Sequence, residues 1–153
     1  MHPQRLTLLL AFLLVACSGE EISQTTAPTA AEAIPDLEGT SWQLVDIRDG
    51  FDNVYAPGNP EKYILRFRGE GRLQVDADCN QAGASWQQQE GLLSFSDLFT
   101  TRALCPPPSL FNRYIMSLEN VASFAMRDSN LVLSTDTYDT TLEFEPYVFN
   151  PLQ

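Results

Sequence analysis

Apolar and polar residues alternate through most of the chain downstream of Gly39. Trp42 and Leu44 alternate with Ser41 and Gln43, and Tyr63, Leu65 and Phe67 alternate with Ile64, Arg66 and Arg68. Period-two patterning of this kind is what a strand with one buried face requires. Arg68-Gly69-Glu70-Gly71-Arg72 supplies a glycine turn, and Leu73, Val75 and Ala77 answer on the return, with Arg72, Gln74 and Asp76 facing away. That arrangement predicts a β-hairpin. Further short strands fit around Ala84-Ser85-Trp86 and Leu92-Leu93-Ser94-Phe95.

After Cys105 the period changes. Pro106 to Pro108 and Ser109 precede Leu110, Phe111, Tyr114, Ile115, Leu118 and Val121, which recur at three- and four-residue spacing. The spacing predicts one amphipathic helix, with prolines where a helix start tolerates them. Strands resume with Phe124 and Met126, turn at Asp128-Ser129-Asn130, and continue with Leu131 and Leu133. A second turn over Thr135 to Asp139 leads to Leu142 and Phe144, ahead of Pro146. The count is about eight strands with the helix between the fifth and sixth. Most links are too short for a parallel crossover, so the pairing is antiparallel. A sheet of that size curls or closes, which also removes its edges. The expected fold is mainly β: a β-barrel-like, lipocalin-like curled antiparallel sheet plugged by the helix.

The first residues follow a different plan. Arg5 is followed by the apolar run Leu8 to Val15, too short to span about 30 Å of hydrocarbon. It suits the core of a secretory signal. Leu14-Val15-Ala16-Cys17 resembles the bacterial lipobox, so residues 1–16 are read as a lipoprotein signal peptide and Cys17 as the lipidated residue. Ser18, rather than an aspartate, follows the cysteine, which favours the outer membrane, facing the periplasm. Residues 17–36 are small, polar and acidic with two prolines, and are expected to form a flexible tether. The domain is assigned to 37–146, and 147–153 to a C-terminal tail.

Of the 153 residues, 44% are hydrophobic, enough for a single core. Net charge is −11; removing the first sixteen residues, with one Arg and no acid, leaves eight basic against twenty acidic residues, or −12. A surface that acidic repels nucleic acid. Once Cys17 is set aside, Cys79 and Cys105 remain. An even pair in an oxidising compartment is normally a disulfide. Closing about 26 residues would stabilise by roughly 3.5 kcal/mol in the chain-entropy view. The alternative, a thiol pair for redox or metal chemistry, lacks CxxC spacing and further soft ligands.

Catalytic chemistry has little to draw on. His2 is the sole histidine and leaves with the signal segment, so no Ser–His or Cys–His pair survives. A Ser–Lys dyad would have to use Lys62, which has no nucleophile motif beside it. Asp76-Ala77-Asp78-Cys79-Asn80 opens like a calcium loop, but Gln81 stands where glycine is needed and Gln87 where the bidentate glutamate belongs. Asp76 and Asp78 are therefore read as solvated turn carboxylates. No metal or cofactor is expected, and no enzymatic activity. Arg66, Arg68 and Arg72 would gather on the outer face of the first hairpin, either as a contact for an acidic partner or peptidoglycan carboxylates or as a solvated strand face. Phe51 and Tyr55, in the Asp49–Pro60 loop, either line a recognition surface or fold back on the rim.

Gly39-Thr40-Ser41-Trp42, Asp78-Cys79-Asn80 followed by Gly83, Thr101-Arg102-Ala103-Leu104-Cys105, and Leu142 to Pro146 together resemble the META/HslJ-like domain family. In that pattern a GT-x-W strand leads to a CN-x-x-x-G turn, a T-x-x-x-C segment, a helix and a closing hairpin. One departure is Asp78, where glycine often precedes the CN pair, and the spacing from Asn80 to Gly83 differs. The resemblance implies a small barrel-like fold with a helix, frequent among envelope lipoproteins, and an association with heat shock and drug tolerance. It implies no enzymatic residues. It also implies that Cys79 pairs with Cys105, that Asn80 and Gly83 shape the turn beside the bridge, and that Trp42 lies in the core. Thr40, Thr101 and Arg102 complete the motif.

The resulting expectation is a monomeric, lipid-anchored, non-enzymatic envelope protein that binds a small apolar ligand or another envelope protein. A core filled by Trp42, Phe67, Phe95 and Leu118 would exclude an internal ligand and leave docking. The alternative is an inhibitor of an exogenous hydrolase such as lysozyme, marked by a loop that presents a charged side chain.

Overall fold

The computed structural model describes residues 34–149; Cys17, the signal segment and most of the tether and tail assignments lie outside the described residues. The strands are β1 (Ser41–Arg48), β2 (Val54–Tyr55), β3 (Tyr63–Arg68), β4 (Arg72–Ala77), β5 (Asn80–Gln89), β6 (Leu92–Thr100), β7 (Val121–Arg127), β8 (Asn130–Thr135) and β9 (Thr141–Pro146). One helix, α1 (Phe111–Glu119), separates β6 from β7, and a 3-10 turn (Pro60–Lys62) precedes β3. β1 pairs with β2 and β3, each strand from β3 to β9 pairs antiparallel with the next, and β1 pairs with β9, so the sheet closes on itself. With the two-residue β2 set aside, this is the expected eight-stranded closed barrel, its helix between the fifth and sixth strands. The β2 ribbon, paired only with the end of β1, falls within the loop expected between Asp49 and Pro60.

Tight turns set the register. Asp78-Cys79, Glu90-Gly91 and Asp128-Ser129 each join adjacent strands through two residues. Positive φ angles at Glu90, Gly91, Asp128 and Ser129 match the mirror-image turns that suit twisted strands. Closure needs one irregularity in β1: the ladder to β9 slips between Leu44 and Asp46, and Asp46 and Ile47 are then both buried.

The expected inward positions fill the interior. Leu65, Phe67, Val75, Leu44, Leu131, Leu133, Leu142 and Phe144 are wholly buried, with Tyr114 and Leu118 of α1 inserted among them. Trp86 packs edge-on to Phe67 at 5.2 Å, and Tyr114 edge-on to Tyr63 at 5.5 Å. Phe95 is only half-buried against this core, and Ile64, assigned outward by alternation, is wholly buried. The chain is also pinned before β1: Leu37 is wholly buried, its N–H donates to Gln88 Oε1 at 3.2 Å, and Gln88 Nε2 donates to the Pro35 carbonyl at 2.8 Å.

The helix departs from its expected limits at both ends. Val121, read as its last apolar position, opens β7, while Asn120 ends the helix by donating its N–H to the Ser117 carbonyl. At the start, Leu110 N–H donates to Tyr63 Oη at 2.9 Å, which fixes the first turn at Phe111, beyond Pro106–Pro108.

Candidate functional site

The motif residues fall into two groups. Near the start of β1, Thr40 Oγ1 donates to the Leu37 carbonyl at 2.6 Å and accepts from Trp42 Nε1 at 2.7 Å, so a buried indole is held by the motif threonine. This pair orders the entry into the barrel.

The second group forms a clamp. Cys79 and Cys105 are bonded, with Cα atoms 5.5 Å apart. Asn80, buried at the first position of β5, turns its amide on the loop that follows β6. Its Oδ1 accepts from Ala103 N–H at 2.7 Å and from Thr101 Oγ1 at 2.9 Å, and its Nδ2 donates to the Ala103 carbonyl at 3.0 Å. The Thr101 N–H donates to the Gln81 carbonyl at 3.0 Å. A carboxamide that takes both backbone groups of one residue acts as a short strand partner. The Thr101–Cys105 segment is thus tied at alternate residues, Thr101, Ala103 and Cys105, while the Arg102 and Leu104 side chains between them take no part in these bonds. Leu104 is fully exposed. Arg102 is exposed and takes no part in the ion pairs found among the described residues.

Gly83 does not belong to the turn beside the bridge, which Asp78 and Cys79 form. It lies within β5, opposite Phe99 of β6, where a Cβ would come within 2.6 Å of the Phe99 ring. The missing side chain lets that ring lie across the strand.

Between the clamped loop and α1 runs an open groove of about 690 Å³, lined by Arg102, Leu104, Phe111, Ile115, Met116 and Glu119 among others. Met116 is 58% exposed, so Leu104 and Met116 give this acidic protein an apolar rim. No signal within Leu104 or Met116 marked them in the sequence: each becomes noticeable only when the fold leaves it outside.

The remaining sequence candidates are locally engaged. Arg66 pairs with Asp76 at 2.6 Å and Lys62 with Asp78 at 3.1 Å, so both carboxylates are engaged by basic neighbours. Arg72 pairs with Glu70 at 3.3 Å, and Arg68 donates to Gln74 Oε1 at 3.2 Å. Burial pushes the Asp78 carboxyl up, but hydrogen bonds from the Ser109 hydroxyl, Lys62 and the Tyr63 hydroxyl outweigh it and hold its pKa below the usual range. Tyr55 folds back under Arg113, whose guanidinium carbon lies 3.6 Å from the ring centroid, whereas Phe51 projects into solvent. Among the described residues no group of three or more His, Cys, Asp or Glu side chains is placed to hold a metal ion.

Comparison with solved structures agrees with this architecture. An NMR structure of a protein from Burkholderia xenovorans superposes with a TM-score of 0.63 at 22% identity, covering 80% of this chain and 97% of that one. The crystal structure of a DUF4847 family protein from Bacteroides vulgatus gives 0.54 at 16% identity, covering 74% and 96% of the respective chains. At these identities the likeness is one of fold. No curated protein matches the sequence. The sequence profile of the META domain matches residues 35–146, which take in the entire barrel together with its clamp and helix, and the chain belongs to the META domain family.

Proposed function

We propose that this is a non-enzymatic lipoprotein of the bacterial cell envelope that docks another envelope protein on the groove between its clamped loop and α1. Cys17 carries the acyl anchor, the outer membrane holds it on the periplasmic side, and the docking serves stress or drug tolerance. The observation that carries the docking reading is Leu104. A fully exposed leucine is held out by a disulfide and an asparagine on either side of it, so its display is built into the loop. Rigid apolar anchors lose little freedom on binding and supply the core of protein interfaces. Arg102 beside it favours an extended, acidic partner segment with an apolar residue, by charge complementarity. The barrel interior is packed with side chains, Trp42, Phe67 and Leu118 among them, which favours docking over an internal apolar ligand.

A photo-crosslinking residue at position 104 tests this in whole cells, with one at position 128 on the β7–β8 turn as control. A discrete adduct with one envelope protein at 104 and none at 128 is the expected result. No adduct, or the same adducts at both positions, would overturn the docking reading. A second reading, hydrolase inhibition, is favoured by the basic Arg102 on a rigid loop, as insertion into an acidic cleft requires. Undiminished lysis when the purified protein is added to a lysozyme assay would exclude it for that enzyme.

A further inference from the structure

On the other flank of α1 lies a second, smaller cavity of about 240 Å³. Its helix wall is Arg113, Met116 and Asn120, and the loops after β1 and β8 contribute Asp49, Phe51 and Tyr138. Residues 113, 116 and 120 share one helical stripe, while 111, 112, 115 and 119 face the clamp groove, so Met116 forms the ridge between the two.

Arg113 is the unusual member. It is half-buried, stacked on Tyr55, and pairs with no carboxylate among the described residues, in a chain of net charge −11. Asp49 lines the same cavity but is already engaged by its own loop. Its Oδ1 accepts from the N–H groups of Phe51 and Asn53 and from Asn53 Nδ2, and its Oδ2 accepts from Asn53 Nδ2 and Tyr55 Oη. A carboxylate so furnished has little capacity for another donor. Ring stacking occupies the face of the Arg113 guanidinium and leaves its in-plane N–H fork free, the geometry that binds a carboxylate through two parallel hydrogen bonds.

Ser117, Asn120, Thr135, Thr137 and Thr140 also line the cavity, and its aromatic and thioether side chains stand at the mouth. Phe51 is 88% and Tyr138 78% exposed, and both rings border the opening together with Met116. The two loops that carry them touch: a Cβ on Gly50 would stand 3.1 Å from both Asp139 Cβ and the Tyr138 carbonyl. A cavity of about 150 Å³ accommodates benzene, so this one has room for one aromatic ring and a small charged group.

We infer that this cavity is a binding site for a small aromatic carboxylate, its charge forked onto Arg113 and its ring held between Phe51, Tyr138 and Met116. The site shares Met116 with the docking groove but does not rest on the docking reading.

The probe is benzoate, followed by NMR titration of the Arg113 Nε–H and the Phe51 and Tyr138 ring signals. Benzoate is expected to shift all three saturably, with benzamide and acetate each binding much more weakly. Arg113→Gln should weaken benzoate about tenfold or more, the loss of a charge-assisted pair. Tyr138→Ala, an exposed change, should weaken it too while leaving Tm unaltered, which separates loss of the site from loss of the fold. Benzamide binding as well as benzoate, shifts confined to other residues, or Arg113→Gln without effect would overturn the assignment. Crosslinking from position 104 should persist in Arg113→Gln, so failure of either site can be told from failure of the other.

Discussion

Asn80 does for the clamped loop what a neighbouring strand would otherwise do, and it does so while buried. Removing its amide in Asn80→Ala forfeits the bonds to Thr101 and Ala103 and should cost about 1–3 kcal/mol, read from urea denaturation. The freed loop should also loosen the cystine, whose Cys79 is already exposed, so the rate of reduction by dithiothreitol should rise; an unchanged rate would show that the bridge holds the loop unaided. Tyr114 presents the reverse case. It is wholly buried with no partner for its hydroxyl, and burial raises its pKa well above the ordinary phenolic value. Tyr114→Phe is expected to be neutral or stabilising by up to about 1 kcal/mol, a rise in Tm of no more than roughly 4 °C. A drop in Tm would reveal a partner for the hydroxyl. Asp78 sets a pH dependence. Its folded pKa is depressed below the ordinary carboxylate value, so its contribution is complete above the unfolded pKa and is lost as pH falls through the folded one. Acid titration of Tm should therefore show a shallower loss in Asp78→Asn than in the parent; parallel curves would remove Asp78 from the account.

Among the elements, the strands were legible because each needs only its own alternation and a turn, as in Leu73, Val75 and Ala77 after Gly69 and Gly71. The clamp was legible in part, since Cys79, Asn80, Thr101 and Cys105 stand in the family pattern. The helix limits were not, because they are set from outside the segment. Tyr63 fixes the first turn from 47 residues upstream, and Val121 keeps the helical spacing while already belonging to β7. Gly83 likewise takes its meaning from Phe99 on the adjoining strand. Turn chemistry leaves a margin for improvement. Ser129 sits at a φ of 75°, where a residue with a Cβ is disfavoured by about 1–2 kcal/mol. Ser129→Gly should recover roughly 1 kcal/mol of that in a denaturant midpoint; a lower midpoint would mean that the serine side chain is needed there.

For the molecule as a whole, closure is uneven. β4 is paired along its full length on both sides, whereas β6 meets β7 only at Leu92 and Ser123, with one further bond from Phe124 N–H to the Gly91 carbonyl. The barrel should therefore open first along that seam. Hydrogen exchange is expected to be faster for β6 amides between Phe95 and Thr100 that face away from β5 than for amides of β4, and uniform protection would contradict this. Both candidate surfaces flank α1, which the alternation and the helical period placed correctly, but the exposed rims of Leu104, Met116, Phe51 and Tyr138 came from tertiary packing alone. Finally, the pinning of Pro35 and Leu37 by Gln88 bears on mechanics. Gln88 belongs to β5, across the barrel wall from the strand that Leu37 precedes. A tug arriving from the N-terminal side would load that junction before it could unzip β1, so the fold is reinforced at the point where a leash would pull.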